Sequence, residues 1–246
     1  MLFRSALFNI AFFAWTAVAS IGLVTTFFLP RHVLIAGVRL WTRGTAKMLE
    51  SLIGIVTEIR GREHLPKGGA IIASKHQSAW ETIMYSGILP DPALVMKKEL
   101  TRIPLYGWCA VMAGHIVVDR DAGTSAMKHL MRSAKAAVEE GRDVVIFPEG
   151  TRTEPGTRRP YQPGIAALYT YLDAPLVPVA LNSGLYWGRR SFAKRPGRII
   201  VEILPPIPKG LPRKNFLKEL QERIESATES LIAESSVEKF GDNREV

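Results

Sequence analysis

The chain has 246 residues, 47% of them hydrophobic, with a formal net charge of +9 and a pI near 9.8. That is enough for one α/β domain with a proper core plus an appendage. The basic balance points to an anionic partner: lipid headgroups, an acidic carrier, a phosphorylated substrate or nucleic acid. Cys109 is the only cysteine, which excludes a disulfide framework and a thiolate metal site and fits a reducing, cytoplasmic setting. No zinc-finger, RNP or basic-zipper pattern appears, so nucleic acid is the weaker partner.

From Ser5 to Leu29 no residue is charged, and Phe, Leu, Ile, Val and Ala dominate. The run exceeds the roughly 20 residues that cross a bilayer as a helix. Arg4 and the Ala17-Val18-Ala19 triplet imitate a cleaved signal peptide, but the apolar run continues past the triplet, so it reads as an anchor. After Pro30 and Arg31 a more amphipathic stretch runs from Val33 to Ile59, interrupted by Arg39, Arg43 and Lys47. It suits an interfacial helix with its cations among anionic headgroups and Trp41 at the boundary. Arg31, Arg39, Arg43 and Lys47 outnumber Arg4, which by the positive-inside rule keeps the α/β portion on the cytoplasmic face of the inner membrane. The chain thus divides into a membrane-anchoring helical segment, 1–53, and an α/β domain, 54–246.

Within that domain 54–60 reads as a strand, and the Ile-rich run 70–74 as a buried one. A helix is expected over about 78–87, strands over 93–96 and 115–120, and an irregular connection through Pro104, Gly107 and Trp108. Met127, Leu130, Met131, Ala134 and Val138 recur at helical spacing and stop at Gly141. A continuous apolar strand, 143–147, runs into Pro148-Glu149-Gly150-Thr151-Arg152. A helix over 165–172, strands over 175–181 and 198–204, and a closing helix with Phe216, Leu220, Ile224, Ala227 and Leu231 on its apolar face complete the pattern. The polar tail after Glu234 reads as frayed. Strands alternating with helices predict an α/β fold with a largely parallel sheet flanked by helices.

Two strand ends carry chemistry. The first places His76 at the carboxyl end of a parallel strand, where open α/β sheets bind ligands. Glu81 lies five residues on, within reach of the imidazole; a carboxylate on one ring nitrogen raises the basicity of the other. A lone His beside a carboxylate is more often structural, and the second strand end shifts the balance. There Gly150 allows close backbone approach, Arg152 offers a fork suited to phosphate, and Glu149 can accept hydrogen bonds from hydroxyl groups. Ser78 is a poor nucleophile candidate without a Gly-x-Ser-x-Gly elbow, Cys109 lies in an apolar run, and His115 opens a strand. The basic run Arg189, Arg190, Lys194, Arg195 and Arg198 reads either as a solvated loop or as a surface for a membrane or an acidic carrier protein.

These blocks resemble those of the glycerolipid acyltransferases, in particular the bacterial lysophosphatidate (1-acyl-sn-glycerol-3-phosphate) acyltransferases. The matching stretches are His76 to Glu81; Lys98-Glu99-Leu100 with Pro104, Gly107, Gly114 and Arg120; Phe147 to Arg152; and Val177-Pro178-Val179. Together they cover roughly residues 55–185 in the family's order. The resemblance implies His76 as general base, with Glu81 standing where the family usually has Asp. It implies a phosphate site of Arg120, Arg152 and Lys98 beside Gly150 and Thr151, and Glu149 orienting the glycerol. It further implies acyl-CoA or acyl carrier protein thioester as co-substrate, a membrane lipid acceptor, and no metal or cofactor. Other acceptors (a lyso-ornithine lipid or another lysophospholipid) and a non-catalytic lipid-binding adaptor remain alternatives.

Overall fold

The structure, a computed structural model, describes the backbone of residues 1–242 and the side chains of residues 1–237. Helix α1 (Leu2–Thr25) turns through Thr26–Phe28 and Pro30 into α2 (Arg31–Met48). A π-helical turn, Leu49–Ile53, then delivers the chain to the sheet. The strands are β1 (Ile55–Arg60), β2 (Ile71–Ser74), β3 (Ala93–Lys97), β4 (Ile116–Val118), β5 (Val144–Ile146), β6 (Leu176–Leu181) and β7 (Gly197–Ile203). Between and after them come α3 (Trp80–Ile88), α4 (Tyr106–Met112), α5 (Gly123–Glu139), α6 (Pro163–Tyr171) and α7 (Arg213–Asp242).

The sheet order is β1-β7-β6-β2-β5-β3-β4, parallel throughout except where β6 meets β7. This is the largely parallel α/β architecture expected from strand–helix alternation. The period of two along each strand divides the core between its faces. Ile72, Val145, Val177, Val179 and Leu181 face a layer that holds Phe8, Leu49, Ile53, Trp80 and Tyr85. Ile71, Ala73, Val144 and Ile146 face Leu130, Ala134, Ile165, Leu168, Phe216, Leu220 and Ile224 of α5, α6 and α7. β2 therefore lies near the middle of the sheet, and its carboxyl end opens between the two layers.

Helices α1 and α2 form an antiparallel hairpin. Gly37 lies against Leu23 and Gly44 against Trp15, Trp15 Nε1 donates to Trp41 O, and Trp41 Nε1 donates to Thr16 Oγ1. Trp41 is half-buried against α1 and Phe12, its indole N–H held by Thr16. One face of α1 is docked along its length: Phe8 is buried beside Trp187, and Leu23 packs with Cys109 and Ala113. The other face leaves Phe3, Leu7, Ile10, Val18 and Ile21 exposed at steps of three, four and eight residues, which keep to one side of a helix. α1 is long and apolar enough to cross a membrane.

Two local readings are corrected. Residues 106–112, taken as an irregular connection, form α4; Gly107 there is not a breaker, since a Cβ would come within 2.3 Å of Thr101 O. The segment after Glu234 does not fray: α7 continues to Asp242, with Glu234 bridging both guanidinium nitrogens of Arg60 and Ser235 buried beside Asn182. The last part of that tail, 243–246, lies outside the described residues.

Candidate active site

Where β2 ends, successive side chains go to different places. Lys75 turns toward α7, His76 enters a cavity, and the Gln77 carboxamide oxygen accepts the Gly184 N–H at 2.9 Å. The backbone of His76 is held from both sides by the segment after β5: its N–H donates to Glu149 Oε2 at 2.8 Å and its carbonyl accepts Thr153 N–H at 2.7 Å. The imidazole stacks on Phe147 at 4.1 Å between centroids. The ring's position is thus fixed by covalent neighbours on β2 and by the strand that pairs with it.

The carboxylate of Glu81, wholly buried in the first turn of α3, completes the pair. Oε1 accepts from His76 Nδ1 at 2.8 Å, Gln77 N–H at 2.7 Å and Ser78 N–H at 2.6 Å, and Oε2 accepts from Ser183 Oγ at 2.8 Å. With two backbone N–H groups already donating to Oε1, that oxygen faces the imidazole as an acceptor. Nδ1 therefore carries the proton, and the lone pair of Nε2, which has no protein partner among the described residues, is left for a ligand. Ser78 Oγ is spent on the Trp80 N–H at 3.0 Å and is fully buried, which removes it as a nucleophile. Cys109 is buried against Ser20 O, and burial pushes its thiol pKa up. His115 accepts the Leu94 N–H through Nδ1, and burial next to Arg142 lowers its pKa to about 4, so it stays neutral.

The cavity at His76 has a volume of about 960 Å³. Lys97, Arg120, Arg152, Arg189 and Arg190 line it, and among the described residues no Asp or Glu does. Gly150, at φ +70°, turns the chain there, and a Cβ on it would stand 3.7 Å from Arg120 Nη1. Arg152 lies near the Tyr106 phenol, whose pKa burial raises against the pull of that guanidinium. Much of the remaining lining is apolar, including Phe12, Phe13 and Ala17 of α1, Trp41 of α2, Ile83 of α3, and Met127 and Leu130 of α5.

His76, Arg120, Gly150, Thr151 and Arg152 therefore meet in one cavity. Two expected site residues do not. Lys98 begins a 3₁₀ turn that swings its ammonium to Asp119 Oδ2 at 2.7 Å, outside the cavity, while Lys97 lines it instead. Glu149 does not face a glycerol group: its side chain is fully buried, with Oε1 at 2.7 Å from Lys75 Nζ. Lys75 in turn lies 2.9 Å from both oxygens of Glu225 on α7. The basic run also divides, since Arg189 and Arg190 reach the cavity, Lys194 is buried, and Arg198 pairs with Glu58. Lys75, Ser183 and Glu225 were invisible to sequence reasoning; only the charge of Lys75 at the end of an apolar strand marked any of them.

A family model described as acyltransferase matches residues 56–182. The chain is 35% identical over 196 residues to a 1-acyl-sn-glycerol-3-phosphate acyltransferase of Pseudomonas aeruginosa, covering 80% of this chain and 76% of that one. A protein of the same name from Limnanthes alba is 34% identical over 158 residues, 63% of this chain and 56% of the plant protein. The fold also matches the crystal structure of the 1-acyl-sn-glycerophosphate acyltransferase PlsC from Thermotoga maritima with a TM-score of 0.79, covering 95% of this chain and 98% of that one at 21% identity.

Proposed function

Because the chain belongs to the acyltransferase family, we propose that it moves a fatty acyl group from an acyl-CoA or acyl carrier protein thioester to the sn-2 hydroxyl of lysophosphatidate, forming phosphatidate. The observation that carries this is the pairing, in one cavity, of a carboxylate-held imidazole with lining cations and, among the described residues, no acidic lining. The phosphate of the acceptor sits between Arg120 and Arg152, which brings its free hydroxyl to His76. Such positioning supplies much of the rate of a bimolecular transfer. Nε2 of His76 takes the hydroxyl proton as the oxygen attacks the thioester carbonyl. Collapse of the tetrahedral intermediate breaks the C–S bond, and the imidazolium returns the proton to the leaving thiolate. Glu81 steadies the imidazolium between these two transfers. The thioester is already activated, so these steps call on no metal and no covalent enzyme intermediate.

The apolar walls suit hydrocarbon chains, and one of them is α1 itself. With one face docked on the domain and the other exposing Phe3, Leu7, Ile10, Val18 and Ile21, α1 lies in the membrane interface, its outer stripe among the acyl chains. The basic residues of α2 suit the anionic headgroups of a cytoplasmic leaflet, which supports a position for the α/β domain on the cytoplasmic face of the inner membrane. The test offers lysophosphatidate and a lyso-ornithine lipid separately, with labelled acyl-CoA and acyl carrier protein, to the purified chain in detergent. Phosphatidate formation that falls about 10²–10⁴-fold in His76→Ala is the expected result. Product from the ornithine lipid alone would overturn the acceptor, and no transfer from folded protein would leave a lipid-binding adaptor.

A further inference from the structure

In the acyl-transfer reading, on which the second site argued below depends, both substrates carry phosphate. Lysophosphatidate has a phosphomonoester next to the attacking hydroxyl. The thioester donor, whether coenzyme A or carrier protein, has a phosphate at the far end of its pantetheine arm. Two anions held in the same cluster of cations would repel each other and compete, so an ordered transfer needs a site for each.

The sheet order brings cations to His76 from two sides, which adjoin where Arg189 Nη1 donates to Arg152 O at 3.2 Å. His76 follows β2, which stands between β5 and β6. Lys97, Arg120 and Arg152 come from the ends of β3, β4 and β5 on one flank, while Arg189 and Arg190 come from the loop after β6 on the other. We propose that Arg189 and Arg190 form a second anion subsite, which takes the phosphate of the donor's phosphopantetheine arm.

Three observations support this assignment. Arg190 has no ion-pair partner among the described residues, and Arg189 spends only Nη1, on Arg152 O at 3.2 Å. Both arginines line the cavity, and among the described residues no carboxylate lines it to pair with them. Next, Arg190 is held at φ +54°; among the described residues the only other non-glycine at positive φ is Leu105, and both line the cavity. Strain of that kind persists where surrounding structure imposes it, and it concentrates at ligand sites.

The surrounding structure is the third observation. The loop that carries the two arginines is fastened at both ends. Ser183 Oγ donates to Glu81, Gly184 N–H to Gln77, and Arg195 N–H to Tyr186 O at 2.9 Å. Beyond the arginines Lys194 is buried, with Nζ at 2.6 Å from Asn9 Oδ1 and 5.0 Å from the Trp187 ring. A loop so fixed presents its two cations with little backbone ordering left to do on binding.

The experiment uses the purified full chain and four donors with the same acyl group: acyl-pantetheine, acyl-phosphopantetheine, acyl-CoA and acyl carrier protein. The first two differ by the phosphate alone. The wild type is expected to show a KM for acyl-phosphopantetheine about tenfold to a hundredfold below that for acyl-pantetheine, the scale of a charge-assisted phosphate contact. In the Arg189→Gln, Arg190→Gln double variant that preference vanishes, while the KM for lysophosphatidate is unchanged. Equal use of the two small donors by the wild type would overturn the proposal. So would a variant whose loss is the same with acyl-pantetheine, or one whose KM rises for lysophosphatidate. A loss confined to acyl carrier protein would assign the arginines to protein docking instead. No transfer by the wild type with any donor would overturn the acyl-transfer reading and this one with it, before any variant is compared.

Discussion

Replacing Lys75 with Met should destabilise the chain more than any change made at its surface. Lys75 is 1% exposed, with Nζ at 2.7 Å from Glu149 and 2.9 Å from Glu225, and the side chains of the two glutamates are 0% and 2% exposed. Tyr161 OH adds a hydrogen bond to Glu225 Oε1 at 3.2 Å. One buried cation thus balances two buried carboxylates. Methionine has similar length and volume, so packing is largely kept, but both carboxylates lose their counter-charge. Breaking a buried pair by removing one partner costs about 3–5 kcal/mol. At about 2–4 °C per kcal/mol for a chain of this size, the melting temperature should fall by about 6–20 °C.

Two further readouts separate this account from a simple packing defect. With no cation between them, one of the two carboxylates must hold a proton that the unfolded chain releases. Stability of the variant should therefore drop as pH rises, so the deficit against wild type is larger at about pH 8 than at about pH 5. Adding Glu225→Gln should then recover part of the loss, because it removes one of the two carboxylates left without a counter-charge. Thermal unfolding in detergent, followed by near-UV circular dichroism, measures all three proteins. A Lys75→Met protein that melts with the wild type, or a deficit that Glu225→Gln does not reduce, would refute the charge-balance argument.

Ser183→Ala removes the one donor on Glu81 Oε2 and should lower kcat with little change in either KM, at a cost of about 1–3 kcal/mol for a buried acceptor left unpaired. In a Glu81→Asp background the shorter side chain withdraws from Ser183, so the two losses should be less than additive; strictly additive losses in a double-mutant cycle would show that the hydroxyl does not act through the carboxylate. Burial raises the pKa of Asp143 from 3.8 to about 6, against a hydrogen bond from Ala70 N–H. A folded value above the unfolded one gives a contribution that is full below pH 3.8 and is lost as pH rises through about 6. Asp143→Asn should therefore gain stability over wild type as pH climbs through that window, by at most about 3 kcal/mol, and a gain that does not depend on pH would count against the assignment.

What the sequence disclosed depended on how far away each partner lay. The imidazole–carboxylate pair was legible because strand, turn and helix succeed one another from Ile71 to Glu81, and local geometry closes the contact. The order of apolar runs and helical repeats likewise foretold the parallel sheet. Glu149 misled, because a carboxylate beside a Gly-Thr-Arg turn looks solvent-facing until Lys75 on the neighbouring strand and Glu225 on α7 are brought to it. Lys97 and Lys98 are indistinguishable as letters, and the onset of a 3₁₀ turn decides which one sees the cavity. The polar composition after Glu234 said nothing of Arg60, the distant strand residue that holds it.

The loop after β6 joins two things that the sequence had kept apart, the apolar amino terminus and the histidine. Its first residues hold Glu81 and Gln77, and its last, Lys194, is fixed to Ser5 and Asn9 of α1. Lys194 lies among Phe8, Trp187 and Phe192, and burial pushes its pKa down. So buried a cation is poorly replaced by water contacts, which makes the attachment of α1 specific and not merely greasy. α1 is also a wall of the cavity through Phe12, Phe13 and Ala17. A displacement of α1 would therefore open the apolar part of the site and loosen the loop that positions the carboxylate behind His76. In the acyl-transfer reading, with an acceptor that arrives from the membrane, the helix that meets the lipid and the group that takes the proton belong to one packed unit.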